Sequence, residues 1–253
     1  MILIDTHAHI YLPEFEKDRG SGIAKAKDVG VNRVIMPAID STTHQLMLQV
    51  EQEFDNCRAM MGVHPCSVNE MYERELAIVK EYLTQRSFTA IGEIGLDFYW
   101  DKSFMEQQYD AFERQCQWAL EQKLPIVIHS RNAIDECIAV VKKYNGIKGI
   151  FHCFSGTVDQ AVEIIDLGFL LGIGGVITYK NAGLDKVIEK IGFESLVLET
   201  DAPYLAPVPY RGKRNECSYL PLVAEKIAAV CNRNVEEIAN TTTQNAMKLF
   251  NLI

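Results

Sequence analysis

The stretch ILIDTHAHI, residues 2–10, joins a short apolar run to two histidines that are two residues apart. The apolar part is typical of a strand that is buried on both faces of a parallel sheet. Residues i and i+2 of a strand point to the same side, so His7 and His9 are expected to face the same way. Taken alone, the pair is either two hydrogen-bonded histidines at a strand end or half of a metal site.

Seven more apolar runs repeat this pattern, and amphipathic segments with helical spacing lie between them, as at 104–122 and 158–168. The alternation predicts an α/β fold, a (β/α)8 TIM barrel, with an open doubly wound sheet as the alternative. Without a linker or a change of composition, we expect a single domain over residues 1–253. The eight runs cover residues 2–5, 33–38, 58–63, 88–93, 125–130, 149–154, 169–174 and 196–201.

Two further helical segments, 220–231 and 234–250, close the chain. At the start of the second, Asn234 is a plausible N-cap, and Glu237 stands at the third helical position, as in a capping box. We therefore expect Asn234 to mark the beginning of the last helix.

The composition is that of a globular protein, with 48% hydrophobic and 23% charged residues among 253. A net charge of -9 argues against a protein that wraps duplex nucleic acid by charge alone. The seven cysteines are odd in number and lack a CxxC pair, which favours reduced thiols. Without a signal-like or membrane-spanning segment, the prediction is a cytoplasmic protein that does not bind membranes. The sequence leaves the oligomeric state open and is compatible with a monomer.

Five of the six histidines lie at or just beyond the end of an apolar run, and His44, within a helical segment, is the exception. In a barrel, the carboxyl ends of the strands form the active-site face. Taken singly, His129 or His152 is more typical of a buried, hydrogen-bonded histidine than of a metal ligand. The alternative for Glu93 is a structural salt-bridge partner, and the alternative for Asp201 is a cap of the loop before Pro203. Their convergence on one rim favours a metal site. The five histidines are His7, His9, His64, His129 and His152.

Four histidines and two carboxylates are too many ligands for one tetrahedral ion that keeps an open position. We therefore predict two divalent ions, for which mixed nitrogen and oxygen ligands suit Zn or Mn, with Mg at an oxygen-rich position. Such a pair activates water for hydrolysis, with Glu93 and Asp201 as catalytic carboxylates and Asp201 as the proton acceptor. One ion is assigned His7, His9 and Asp201, the second is assigned His129 and His152, and Glu93 bridges them.

At these residues the sequence resembles the TatD family of metal-dependent deoxyribonucleases, in the amidohydrolase-like group of barrels. The resemblance implies a TIM barrel that hydrolyses phosphodiester bonds in DNA, with metal roles for the same six residues. The matching stretches, in order along nearly the whole chain, are DTHAHI (5–10), GVHPCSV (62–68), IGEIGLDF (91–98), PIVIHSR (125–131), FHCFSG (151–156), LGIGGVITYKNA (171–182), ETDAPYLAP (199–207) and YRGKRNECSYL (210–220).

The resemblance also implies a catalytic or substrate-binding role for His64, which would contact the phosphate or assist proton transfer. The alternative is that His64, before Pro65, only caps a turn, but its place at the catalytic rim favours a functional role. The chain departs from the family pattern at Cys66, where a histidine is frequent, and at Cys217, where a proline is frequent. Neither departure removes a proposed ligand, but both bear on the detail of the pocket.

Two loops offer further substrate contacts. The loop PYRGKRNE (209–216) carries Arg211, Lys213 and Arg214, which form either a phosphate clamp or a solvated basic loop. The aromatic stretch FYW (98–100) either stacks on a base or packs within its loop.

The leading hypothesis is a divalent-metal-dependent deoxyribonuclease, a hydrolase of ester bonds that acts on strand ends or single strands of DNA. The first alternative is a two-metal amidohydrolase acting on a small amide, lactone or phosphoester. Many such barrels bridge their ions with a modified lysine at the fourth strand, where this chain has Glu93. The second alternative is a barrel without catalytic activity that binds nucleic acid or a partner protein.

Overall fold

The computed structural model describes residues 1–252, and within that range it has eight strands, all paired in parallel. Each strand overlaps one of the apolar runs. The fourth strand extends four residues past its apolar run, and all seven of its residues are buried. The strands are β1 (Leu3–Asp5), β2 (Val31–Met36), β3 (Cys57–Ala59), β4 (Ile91–Asp97), β5 (Ile126–Arg131), β6 (Gly149–Phe151), β7 (Leu170–Ile173) and β8 (Leu196–Leu198).

The strands follow one another in chain order around a closed ring. Hydrogen-bonded ladders connect β1, β2 and β3 in one sheet, and β4, β5, β6, β7 and β8 in a second sheet. Two shorter contacts close the remaining seams: Met61 bridges to Ile91 between β3 and β4, and Ala8 bridges to Ala202 beyond β1 and β8. The (β/α)8 barrel is therefore confirmed, and the open doubly wound sheet is not the fold of this chain.

Nine α-helices lie in the described part of the chain, and none of them is long and apolar enough to cross a membrane. The first eight follow the strands of the same number, and the ninth packs across β1 and β8. The helices are α1 (Arg19–Asp28), α2 (His44–Glu53), α3 (Tyr72–Gln85), α4 (Met105–Gln122), α5 (Ile134–Val141), α6 (Val158–Asp166), α7 (Leu184–Ile191), α8 (Leu220–Cys231) and α9 (Val235–Phe250).

Helix α9 closes the amino end of the barrel. Its buried Ala246 and Phe250 pack on an apolar layer inside the barrel, to which seven strands or their flanks contribute buried residues and β7 contributes the partly buried Leu170. As expected, Asn234 caps this helix, although its side chain accepts the N–H of Glu236 rather than that of Glu237. With the amino end sealed, the carboxyl ends of the strands are the face that is left for a site. The buried cluster is Ile4, Ile35, Met60, Ala90, Val127, Ile150 and Val197.

The seven cysteines are free thiols, as the sequence predicts. Cys57, Cys116, Cys137 and Cys217 are buried in the core. Cys66 is exposed and lines the cavity at the carboxyl end of the barrel.

Candidate metal centre

Glu93 lies at the middle of the barrel mouth, on β4, and is only 2% exposed. Its Oε2 atom faces the histidines that follow β1, at 3.2 Å from Nε2 of His7 and 3.7 Å from Nε2 of His9. Asp201, beyond β8, faces the same two nitrogens, at 3.8 Å and 3.7 Å from its Oδ1. His7 and His9 thus point together toward two carboxylates.

The other carboxylate oxygen of Glu93 faces a second group of histidines. Oε1 lies 2.8 Å from Nδ1 of His129, 3.1 Å from Nε2 of His152 and 3.4 Å from Nε2 of His64. These three imidazoles come from β5, from the end of β6 and from the loop after β3. One carboxylate therefore separates two sets of imidazoles, as a carboxylate that bridges two ions must do.

The chemistry of these side chains fits divalent metal. Within residues 1–252, Nδ1 of buried His7 has no hydrogen-bond partner, and its Nε2 atom has only the ion-pair contacts with Glu93 and Asp201. The His7 ring stacks on that of His152 at 3.7 Å. An unsatisfied buried polar group costs about 1–3 kcal/mol, which a bound cation would offset. The three groups of side chains whose ligand atoms lie within 4.8 Å of one another are His7, His9 and Asp201; His7, Glu93 and His152; and His64, Glu93 and His129.

The first of these groups is the set that the sequence assigns to one ion. The second and third distribute His129 and His152 differently from the sequence assignment, since His64 joins His129 beside Glu93. His64 also accepts the N–H of Cys66 on its Nδ1 atom, at 3.0 Å. It therefore caps a turn and faces the centre at once, so the two interpretations from the sequence are compatible.

Burial and charge divide the ionisable groups into neutral and charged ones. Burial lowers the pKa of His7, His9 and His64, which favours the neutral imidazole that metal binding requires. Burial would raise the pKa of Glu93, but the surrounding histidines hold it well below its usual range. Burial raises the pKa of Asp201 to about 8. The cluster thus pairs one firmly ionised carboxylate with three imidazoles whose pKa is lowered. The neighbouring carboxylates instead raise the pKa of His129 and His152, so a metal ion would have to displace a proton from these two imidazoles.

Further carboxylates stand behind the histidines. Asp97, the last residue of β4, places Oδ2 at 2.8 Å from Nε2 of His129. Glu199, just after β8, places Oε1 at 3.1 Å from Nδ1 of His152 and accepts the N–H of Cys153. Such partners fix the orientation and tautomer of a ligating histidine.

Asp5 plays a similar part at the seam between β1 and β8. Its Oδ2 accepts the hydroxyl of Thr200 at 2.6 Å, and its Oδ1 accepts the backbone N–H groups of Thr200 and His7. The residue is fully buried, and that burial raises its pKa to about 7.

Sequence reasoning missed Asp5, Asp97 and Glu199 as parts of the site. Their signal was present, because each carboxylate ends or follows a buried run and stands within four residues of an assigned ligand. An unpaired carboxylate in such surroundings is costly and requires a partner.

Residues 209–216 do not line the cavity, which has a volume of about 500 Å³. Arg214 binds both carboxylate oxygens of Asp18, at 2.8 and 2.7 Å, and also contacts Glu216. Arg211 lies over the ring of Tyr179. Lys213 lies near a second ring, that of Tyr210. The guanidinium of Arg214 is thus already paired within the chain.

The aromatic stretch of residues 98–100 has one side chain that packs in the core and two that are exposed to solvent. Phe98 is buried, whereas Tyr99 and Trp100 are exposed, and Trp100 lines the cavity. Arg131, the last residue of β5, lines the same cavity, and so do Tyr204 and Leu205 on the loop after β8. His44 begins α2 and is buried away from this rim.

The family described as TatD related DNase matches residues 4–251. The chain belongs to the TatD family. A Bacillus subtilis relative named "Uncharacterized metal-dependent hydrolase YabD" is 39% identical, over 99% of this chain and 100% of its own length. The chain is therefore a metal-dependent hydrolase of this family.

Two further TatD proteins are similar over their whole length. The Pantoea ananatis protein named "3'-5' ssDNA/RNA exonuclease TatD" is 31% identical, over 99% of this chain and 100% of its own length. The crystal structure of YJJV, a TatD homologue from Escherichia coli K12, superimposes with a TM-score of 0.93 at 30% identity, covering 98% of each chain. The fold and the family thus agree along the entire barrel.

Proposed function

We propose that this chain is a divalent-metal-dependent deoxyribonuclease that hydrolyses phosphodiester bonds at strand ends or in single strands. The observation that carries the proposal is Glu93, whose two carboxylate oxygens face two separate sets of imidazoles at one rim. The TatD relative from Pantoea ananatis, named as a ssDNA/RNA exonuclease, supports the same substrate class.

The proposed roles of the side chains are metal binding, proton transfer and phosphate contact. Two bound divalent ions, Zn, Mn or Mg, would supply Lewis acidity and turn water into a nucleophile at neutral pH. The holding residues would be His7, His9 and Asp201 on one side and His129 and His152 on the other, with Glu93 between them.

Asp201 and His64 are the residues proposed to transfer a proton and to contact the substrate phosphate. The side chain of Asp201 is 14% exposed and lines the cavity. Bound cations would lower its pKa from about 8, and the ionised carboxylate would then accept a proton from water. His64 accepts the N–H of Cys66 on Nδ1, and its Nε2 atom lies 3.4 Å from Oε1 of Glu93 at the cavity wall, where it contacts the phosphate or passes on the proton.

The cavity and the charge of the chain restrict the substrate. A net charge of -9 disfavours a large duplex interface, whereas a cavity of about 500 Å³ accepts one or two nucleotides. Phosphate contacts by Arg211, Lys213 and Arg214 stay a prediction, as do the single domain, the cytoplasmic location and a monomeric state.

The direct test is hydrolysis by the metal-loaded protein with Mg, Mn or Zn. The panel contains single-stranded DNA, duplex DNA, RNA and small esters and amides. We expect single-stranded DNA to be cleaved fastest. Cleavage of the small esters or amides alone would overturn the proposal in favour of a small-molecule amidohydrolase.

Substitution of Glu93 separates the metal mechanism from other routes. We expect Glu93→Ala to lose one or both ions and to lower DNA hydrolysis by at least about 100-fold, since the shared ligand is removed. The matched control is Glu51→Gln, because Glu51 is a half-buried carboxylate that binds Arg86 and the N–H of Ala59, away from the cavity. Metal content is measured by elemental analysis beside the rate. Normal cleavage by Glu93→Ala without bound metal would contradict the mechanism.

A further inference from the structure

An exposed aromatic pair stands on the rim beside the metal centre. Tyr99 is 50% exposed and Trp100 is 67% exposed, and their rings meet edge to face at 4.9 Å. Trp and Tyr are among the residues in which the energetically important positions of binding interfaces are enriched. Trp100 lines the same cavity as Glu93 and His129, so the pair faces the place where a substrate would lie.

Arg131 completes this rim. Its guanidinium carbon lies 4.0 Å from the ring centre of Tyr99 and 5.2 Å from that of Trp100. None of the hydrogen bonds or ion pairs found within residues 1–252 uses this guanidinium. Its N–H donors are therefore available, and their planar arrangement matches the oxygens of a phosphate. This is in contrast to Arg214, whose donors are taken by Asp18 and Glu216.

Asp97 ties the aromatic pair to the metal centre. Its Oδ1 atom accepts the backbone N–H groups of Tyr99 and Trp100, at 2.9 and 3.0 Å. Its Oδ2 atom lies 2.8 Å from Nε2 of His129. One buried carboxylate therefore anchors the backbone that carries the aromatic pair to His129, a candidate metal ligand.

We propose that Tyr99, Trp100 and Arg131 form a nucleotide platform, on which Trp100 stacks against an unpaired nucleobase while Arg131 binds a neighbouring phosphate. Stacking on a side chain needs a free base face, which a base within a duplex does not offer. The platform therefore selects a single-stranded segment or a frayed end. The proposal rests on the nuclease function and specifies its substrate.

Intrinsic fluorescence tests the stacking. Trp100 and Trp118 are the two tryptophans of the chain, and Trp118 is buried, at 6% exposure. The metal-loaded protein is titrated with phosphorothioate-linked tetrathymidylate, which resists hydrolysis, and with the same backbone lacking its bases. We expect the strand with bases to quench the emission and to bind about 5- to 150-fold more tightly, as one stacked base accounts for.

Single-tryptophan variants assign that signal. Trp118→Phe leaves Trp100 as the emitter and is expected to keep the quenching. Trp100→Ala leaves Trp118 and is expected to lose the quenching and to bind both strands equally weakly. Because Trp100 is exposed, its removal leaves the core intact, which circular dichroism verifies.

A pair of arginine variants tests the phosphate contact. Arg131→Gln should weaken both strands by about tenfold, since the backbone contact is lost whether or not bases are present. Arg233→Gln is the matched control, because Arg233 follows α8 at the opposite end of the barrel and is half exposed. It is expected to bind both strands as the unaltered protein does.

Several outcomes would overturn the platform. These are equal affinity for the two strands, failure to bind either strand, or unchanged binding by Trp100→Ala or Arg131→Gln. The proposal of the nucleotide platform and the proposal of nuclease activity can be refuted independently. DNA cleavage with the same KM in Trp100→Ala would refute the platform alone, whereas base-dependent quenching without any cleavage would refute the nuclease alone.

Discussion

At the scale of single residues, the histidines of the metal centre are held from behind by carboxylates. His152 lies between Glu199 on one ring nitrogen and Glu93 on the other. His129 lies in the same way between Glu93 and Asp97. A histidine whose outer nitrogen is held by a carboxylate presents its inner nitrogen in a fixed direction and is a stronger ligand.

Removing the charge of Glu199 should therefore weaken metal binding although Glu199 is not itself an assigned ligand. We expect Glu199→Gln, which keeps the volume of the side chain, to lower metal affinity by about 10- to 100-fold. The measurement is competition with a chelating indicator. Glu51→Gln is again the control, and unchanged affinity in Glu199→Gln would assign Glu199 to packing alone.

At the scale of elements, the pairing of β4 with β5 places Glu93 next to His129. The two strands approach closely at Gly95, which pairs with His129 and has a φ of +136°. A Cβ atom at this position would lie 2.1 Å from the backbone oxygen of His129. Glycine is required here both by the left-handed backbone and by the short distance between the strands.

A pair of glycine substitutions tests this requirement. Gly95→Ala should lower the free energy of unfolding by about 2 kcal/mol or more, because the strands must separate or the backbone must change. Gly22→Ala, in the middle of α1 with open space around it, should instead raise it by about 0.5–1 kcal/mol. Denaturant unfolding measures both. Equal effects of the two substitutions would show that the β4 to β5 contact tolerates a side chain.

At the scale of the whole molecule, the metal centre spans the seam that closes the barrel. His7 follows β1 and Asp201 follows β8, and the N–H of Asp201 donates to the backbone oxygen of His7. Asp5 and Thr200 join the same two segments. An ion held between His7 and Asp201 would therefore fasten the first strand to the last.

Metal binding should for this reason stabilise the entire fold. A ligand that binds only the folded state adds about 2.7 kcal/mol when its concentration is 100 times its Kd. We expect Zn or Mn to raise the Tm of the metal-free protein, a chelator to reverse the change, and Glu93→Ala to show a smaller rise. Calorimetry measures these shifts, and a Tm that is independent of metal would contradict this role of the centre.

The positions of the eight strands and the direction of the site could be predicted from the amino-acid sequence. The reason is that strand burial is a local pattern, and the rule that sites lie at the carboxyl ends holds for parallel barrels in general. Thus the histidines at strand ends indicated a metal site before any distance was known. The end of β4 was less predictable, because the burial of Ile94 to Asp97 depends on how β4 packs against β5 and α4.

The pairing of polar side chains with their hydrogen-bond and ion-pair partners depended on the three-dimensional fold. Arg214 is paired with Asp18, 196 residues away, and Thr200 with Asp5, 195 residues away. Phe98 is buried while the adjacent Trp100 is exposed, a difference that residue type alone does not predict. The sequence therefore determined the kinds of ligand and the rim they occupy. The tertiary structure determined their pairing. Hydrogen bonds and ion pairs act over only a few ångströms, and residues that are distant in sequence come within that range only when the barrel closes.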